Sequence, residues 1–334
     1  MSPTRRQFLR GSLAAITGLT AACSSLQPGP RKHVLPDVPT PPAESTVSLV
    51  RPSRFGSLQE VIRRAVELAG GLSFIQPGQS VVLKPALNST RPYPATTDPQ
   101  LILIVVQMVK DAGGRPLIAD RTEYMNPTAS AFQSTRILDA ASEAGTVCVP
   151  LEDTPVVSQF HPLAVTWGYS SVPIYQLVAE ADHVINLCTP RTHIRADFTM
   201  AMKNLVGVVD GDARRDMHSG SWLKERIAEI SLVVRPSMII MDGRMGFTSG
   251  GPNSGSVARL DFIAAGSDPL AVDAVGIAHL RLAGTIAALS RGSIWSISTM
   301  RRGAKLGIGV PSGNLVRLVG AEVDHEAAIR AHLI

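Results

Sequence analysis

Ser80-Val81-Val82-Leu83-Lys84-Pro85-Ala86-Leu87-Asn88 is the stretch on which the fold turns. Its apolar core is short, β-branched and free of polar alternation, which predicts a strand buried on both faces. Such strands belong to a mostly parallel sheet with helices packed on either side. The strand ends on Lys84, which Pro85 disfavours from the helical region and pushes extended. A lysine ending a buried strand is partly desolvated and needs either a partner or a function.

Segments of the same kind recur outward from this one, at Thr46–Val50, Pro116–Ala119, Thr146–Val149, His183–Leu187, Met238–Met241, Leu260–Ala264 and Leu315–Val319. Amphipathic or apolar helices are predicted between them, over Ser57–Ala69, Asp98–Asp111, Thr128–Glu143, Ile174–Glu180, Met200–Val209, Ser221–Val233, Asp268–Leu282, Ser293–Lys305 and His325–Leu333. Asp98-Pro99 and Asp268-Pro269 read as N-cap followed by proline at the first helical position. The alternation predicts one α/β domain over 46–334, a mostly parallel sheet with helices on both faces, with room for a helical lobe inserted at about 189–235.

Ligands of open α/β sheets bind beyond the carboxyl ends of the strands. The predicted strands deliver Lys84, Asp120, the Arg191-Thr192-His193 loop and Asp242 to that edge. Lys203-Asn204 interrupts an otherwise apolar helix and faces either solvent or the same cleft. Lys84, His193 and Lys203 are therefore the candidate catalytic groups. Asn88, Asn204 and the glycine-rich loop around Gly250 and Gly251 are candidates for holding a substrate or cofactor, since backbone amides in such loops bind anions. Asp120, Asp242 and His218 are candidate metal ligands, and the two acids serve equally as partners for a lysine or as loop caps. Lys84, Asp120, His193, Lys203 and Asp242 are expected to converge on one cleft. Asp273, five residues after Asp268 on an otherwise apolar helix, is the more interesting of these two acids. The chain contains no Gly-Lys-Ser/Thr phosphate loop, dinucleotide fingerprint, nucleophile elbow or H-E-x-x-H pair.

Composition narrows the classes. The chain has 334 residues, 45% hydrophobic and 18% charged, as a globular protein with a sizeable core does. Three cysteines are too few for an ordinary iron–sulfur cluster. Aromatic residues at 4% argue against stacking platforms for nucleic acid. The net charge of +5 is largely local: without Arg5, Arg6 and Arg10, 29 basic residues face 27 acidic ones. No nucleic-acid partner is implied.

Those arginines open what looks like a twin-arginine translocation signal, Thr4-Arg5-Arg6-Gln7-Phe8-Leu9-Arg10, followed by a short, mildly apolar segment to Ala22. Leu19-Thr20-Ala21-Ala22-Cys23 resembles a lipobox, which would put a lipid on Cys23. Six prolines between residues 24 and 45 read as a semi-extended tether. The expected layout is a signal peptide over 1–22, a tether over 23–45 and the α/β domain over 46–334. The expected partners are the twin-arginine translocation machinery, a membrane and a small anionic ligand, and the expected location is the periplasm or cell envelope.

Several short elements occur in an order that resembles the family of domain of unknown function 362. These are Lys84-Pro85 with Asn88, Thr97-Asp98-Pro99, Ala181-Asp182 with Ile185-Asn186, Thr192-His193, Lys203-Asn204 with Gly207, His218, Asp242-Gly243, Gly251-Pro252, and Asp268-Pro269 with Asp273. The likeness covers roughly residues 80–280. Arg191 stands where the family pattern has lysine, and the ferredoxin-type clusters of some relatives have no counterpart in a chain with three cysteines. A more distant likeness, to the nickel-pincer lactate racemase family, implies lysine and histidine around an organometallic cofactor by fold-level analogy. The residues together lead to an exported envelope enzyme with a polar cleft for a small anionic substrate or cofactor, metal-containing or not. The alternative is a non-catalytic ligand-binding or assembly protein tethered in the envelope.

Overall fold

A computed structural model describes residues 37–123 and 126–334. The predicted signal peptide, Cys23 and most of the predicted tether lie outside the described residues. Residues 37–44 lie against the domain: Arg235 donates to the Asp37 carbonyl, and Glu44 pairs with Arg317.

The strands are β1 (Ser45–Val50), β2 (Ser80–Lys84), β3 (Arg115–Asp120), β4 (Cys148–Pro150), β5 (Val156–Phe160), β6 (Ser171–Tyr175), β7 (His183–Cys188), β8 (Arg191–His193), β9 (Asp197–Thr199), β10 (Met238–Phe247), β11 (Val257–Gly266) and β12 (Val316–Val319). The main sheet runs in the order β12-β1-β11-β10-β7-β2-β3-β4, with β8 and β9 attached beside β10. Along that path only β11 runs against its neighbours. Chain order reverses between β7 and β2, so the carboxyl ends of these two strands open a crevice of the kind that holds ligands in doubly wound folds.

Both faces of the sheet are covered. Helices Leu58–Leu68, Pro99–Asp111, Thr128–Ser134 and Ile137–Glu143 close one face over Val81, Leu83, Ile118 and Ile185. Helix Pro269–Leu282 lies across the other and is buried from Pro269 to Leu280, with Leu223–Val233 and Ser298–Lys305 nearby. That inaccessibility explains why its sequence shows no polar face. It carries Gly276, where a Cβ would come within 2.6 Å of the Met200 Sδ and 2.8 Å of the Met241 Sδ.

The mixed α/β architecture agrees with the reading of the strands, and several elements differ in detail. The helix predicted over Thr128–Glu143 is two, broken at Arg136, whose φ is 62°. The short helix predicted at Ile174–Glu180 begins as β6, which forms an antiparallel hairpin with β5. The strands predicted at Met238–Met241 and Leu260–Ala264 are longer, ten residues each, and antiparallel to one another. Residues 191–233 are built onto the sheet: β8 pairs with β10, and helix Ala201–Asn204 packs on β7.

Candidate functional site

Lys84 ends β2 and is buried. Its Nζ donates to Asp120 Oδ2 at 2.9 Å, to the Pro85 carbonyl at 2.7 Å and to Asn204 Oδ1 at 3.5 Å. Asp120 ends the neighbouring β3, and its carboxylate also accepts from the amides of Leu87 at 3.0 Å and Arg121 at 2.7 Å. Burial lowers the Lys84 ammonium and raises the Asp120 carboxyl, while the contact between them opposes both shifts. The pair sits under Gly207, where a Cβ would lie 2.1 Å from Asp120 Oδ1 and 2.9 Å from Lys84 Nζ. Only glycine lets the chain pass this close.

Gly207 belongs to a single short turn of chain, helix Ala201–Asn204 continued as 3₁₀ over Leu205–Val208. Gly207 follows Lys203 by four residues and Asn204 by three, the two spacings that make neighbours on a helix surface. Asp273, reaching from the buried helix Pro269–Leu282, accepts from the Ala201 amide at 2.6 Å and the Met202 amide at 3.2 Å. Asp273 thus caps the helix that presents Lys203, and burial raises its carboxyl to about 8. Asn204 Nδ2 donates to Asn186 Oδ1 at 2.7 Å, fixing the helix to β7.

The opposite wall comes from β8. Arg191 is buried; its Nη1 donates to the carbonyls of Ala95 and Pro252, while its Nε has no hydrogen-bond partner. His193 Nδ1 accepts from the amides of Arg195 and Ala196, both at 3.1 Å, so the ring proton resides on Nε2. Burial, then Lys203, hold His193 neutral, with its pKa near 2. Arg214, from helix Gly211–Ser219, closes the site by donating to the carbonyls of Arg121 and Thr122.

Lys84, Asp120, His193 and Lys203 line one cavity of about 30 Å³ together with Asn88, Arg121, Arg191, Asn204, Gly207, Arg214 and Pro252. Five of these side chains are formally cationic and one is a carboxylate. Among the described residues, Lys203 Nζ has no hydrogen-bond or ion-pair partner. Burial and the neighbouring Arg214, Arg191 and Lys84 lower its pKa to about 7. Arg191 Nε is a buried donor awaiting an acceptor, and Lys203 Nζ, on a largely buried side chain, is a second donor without one among the described residues. The volume suits about two waters or one small oxyanion group.

A scan against protein families matches the model described as domain of unknown function (DUF362) over residues 81–278. The chain belongs to this family. A thylakoid-associated protein of Synechocystis sp. is 30% identical over 242 residues, 69% of this chain and 73% of its own. The lactate racemase apoprotein of Thermoanaerobacterium thermosaccharolyticum superposes with a TM-score of 0.43 at 16% identity, over 70% of this chain and 59% of that one.

In this DUF362 protein the three proposed metal ligands do not form a set. Among the described residues, no group of three or more His, Cys, Asp and Glu side chains could hold a metal ion. Asp120 is committed to Lys84 and two amides. Asp242 lies within β10, not at its end; it accepts from Tyr93 Oη at 3.0 Å and pairs with Arg244, which also holds Asp98. It therefore locks the loop before Asp98 and does not join Lys84 and Lys203. His218 donates from Nδ1 to the Arg214 carbonyl at 2.8 Å; burial and Lys203 lower it to about 4. A bare divalent cation does not fit a cavity of this charge. An organometallic cofactor would have to extend beyond the enclosed space of about 30 Å³.

The other candidates divide. Asn204 and Asn88 line the cavity, and Asn88 donates to Asn253 at 2.6 Å. Gly250 and Gly251 form a tight turn in which the Gly251 amide donates to the Ser254 carbonyl, so that amide is not offered to a ligand. Gly251 matters through close approach: its Cβ would meet the Thr192 carbonyl at 1.9 Å, and Pro252 beside it lines the cavity. Sequence reasoning missed Arg214, because the charged run Asp210–Asp216 reads as a solvated face. It also undervalued Arg191, named only as a neighbour of His193. The four-residue spacing of Arg214 and His218 was the available signal.

Proposed function

We propose that this chain is an exported cell-envelope protein whose cavity binds a small oxyanion, a carboxylate or phosphate group, as substrate or as the anionic end of one. The observation that carries the reading is the buried Lys203 ammonium site, without an acceptor, beside the equally unanswered Arg191 Nε. Arg191 and Arg214 would hold the anion, His193 Nε2–H would donate to it, and Lys203 would exchange a proton with it. An amine that titrates near neutrality suits general acid–base work. Ligand capture without chemistry is the second reading. It is favoured by a volume that takes one anionic group and leaves little space for a second reactant.

The layout proposed with this function is a twin-arginine signal over 1–22, a lipid on Cys23 and a proline-rich tether to about residue 45. The description of a relative as thylakoid-associated supports a membrane-associated setting.

The experiment is calorimetric titration of acetate, phosphate and sulfate into the purified full chain and into Lys203→Met. The wild type should bind at least one of them, and Lys203→Met should bind it at least tenfold more weakly, equivalent to about 1.4 kcal/mol. Equal binding by both proteins, or binding by neither, rejects the site. Recovery of the bound anion unchanged after long incubation with native extract would favour capture over catalysis.

A further inference from the structure

We propose that the cavity takes up its anion together with a proton, which Lys203 accepts. The inference rests on the oxyanion reading above and adds the stoichiometry of the event.

The groups facing Lys203 come from every wall. Lys84 and Asp120 stand at the ends of β2 and β3, Arg121 follows β3, Arg191 and His193 are on β8, Arg195 follows in the turn, and Arg214 and His218 are on helix Gly211–Ser219. The only carboxylate among them is Asp120, already committed to Lys84 and two backbone amides. An ammonium placed here has three donors, no acceptor and several like charges nearby. Without an anion these surroundings favour the neutral amine far more than water does. A bound oxyanion supplies the missing acceptor and an opposite charge, so it favours the protonated form. Any ligand that prefers one protonation state must shift the proton equilibrium in turn.

The sign follows from the free site. Lys203 titrates near pH 7 in the empty cavity. Below that pH the ammonium is already present, and the anion binds without proton exchange. Above it, each anion bound brings in up to about one proton, and affinity falls by at most about tenfold per pH unit. The two imidazoles do not share this titration. Burial, then Lys203, keep both imidazoles neutral, in His218 against the opposing Nδ1–H bond to the Arg214 carbonyl, with pKa values near 2 for His193 and 4 for His218.

Sulfate is the probe, because it does not itself titrate between pH 6 and 9. Its binding to the full chain is measured by calorimetry at pH 6 and pH 8, in buffers of differing ionisation enthalpy. At pH 8 the observed enthalpy should depend on the buffer with a slope approaching about one proton per sulfate, and at pH 6 the slope should be close to zero. Lys203→Arg, which keeps a permanent cation, should bind sulfate at both pH values with no buffer dependence. Sulfate binding with no slope at pH 8 in the wild type overturns the proton coupling and leaves the anion site standing. A slope that persists in Lys203→Arg assigns the proton elsewhere, Lys84 first, and also overturns it. No sulfate binding at either pH removes both the coupling and the site.

Discussion

Lys203 carries a cost in stability that follows from its chemistry. Its pKa is depressed to about 7 in the folded chain, and an unfolded lysine titrates near 10.4. Between those values the unfolded chain holds a proton that the folded chain lacks, so stability rises with pH across this window. Lys203→Met, apolar and of similar length, should therefore be more stable than wild type at pH 6.5, by roughly 1–4 kcal/mol. The gain should shrink as pH approaches 10. Urea denaturation at pH 6.5 and 9.5 checks this, and a loss of stability at pH 6.5 would mean that the side chain packs structurally. Gly207 shows the opposite kind of residue. It has no chemistry, yet its missing Cβ is what leaves room for the Lys84–Asp120 pair. No polar pattern in the sequence marks it, only its place four residues after Lys203.

Helix Ala201–Asn204 is too short to hold itself, since a single turn gains little from its own hydrogen bonds. Asp273 supplies what its first amides lack. Asp268, five residues earlier, caps helix Pro269–Leu282 through Leu270 and Ala271 and ties in Ser45 and Val310. The two acids should separate under mutation. Asp273→Asn and Asp268→Asn should each cost about 1–3 kcal/mol on unfolding, because each leaves a buried amide poorly matched. Only Asp273→Asn should also weaken oxyanion binding, by displacing Lys203. Matched affinity losses in both variants would show that the effect passes through general destabilisation. The Asp-Pro start of the helix is legible in sequence, because an N-cap is local. The role of Asp273 was not, because its partners lie 72 and 71 residues away.

The whole chain joins a basic amino-terminal stretch, with Arg5, Arg6 and Arg10, to a remainder of nearly balanced charge. Replacing Arg5-Arg6 by Lys-Lys should leave unprocessed protein in the cytoplasm, as fractionation and blotting would show; normal export of that variant would defeat the twin-arginine reading. Cys23→Ser should release the protein from membranes, and a wild type already free in the periplasmic fraction would remove the lipid anchor. Neither change touches the cavity, so oxyanion affinity of the purified domain should be unaltered in both.

Sequence alone determined the layered α/β architecture and the strands that end at Lys84 and Asp120. Burial on both faces writes itself directly into composition: Val81-Val82-Leu83 in β2 and Val184-Ile185 with Leu187-Cys188 in β7 are apolar, and the one buried polar residue among them, Asn186, is bonded to the Ala201 carbonyl and to Asn204. It also singled out Lys84 and His193 for the carboxyl edge and left Lys203 between that cleft and solvent; the structure places all three around one cavity. Tertiary structure alone decided which acids join them. Asp120 and Asp242 look alike as the last residue of an apolar strand. The first meets Lys84 across adjacent parallel strands, whereas β10 runs on to Phe247 and leaves Asp242 inside the sheet with Arg244 and Tyr93. Strand length and pairing are set by contacts between distant segments, as are the positions of Arg214 and Gly207 around the cavity. Those contacts leave only a faint local mark, the spacing of Gly207 from Lys203 and of Arg214 from His218.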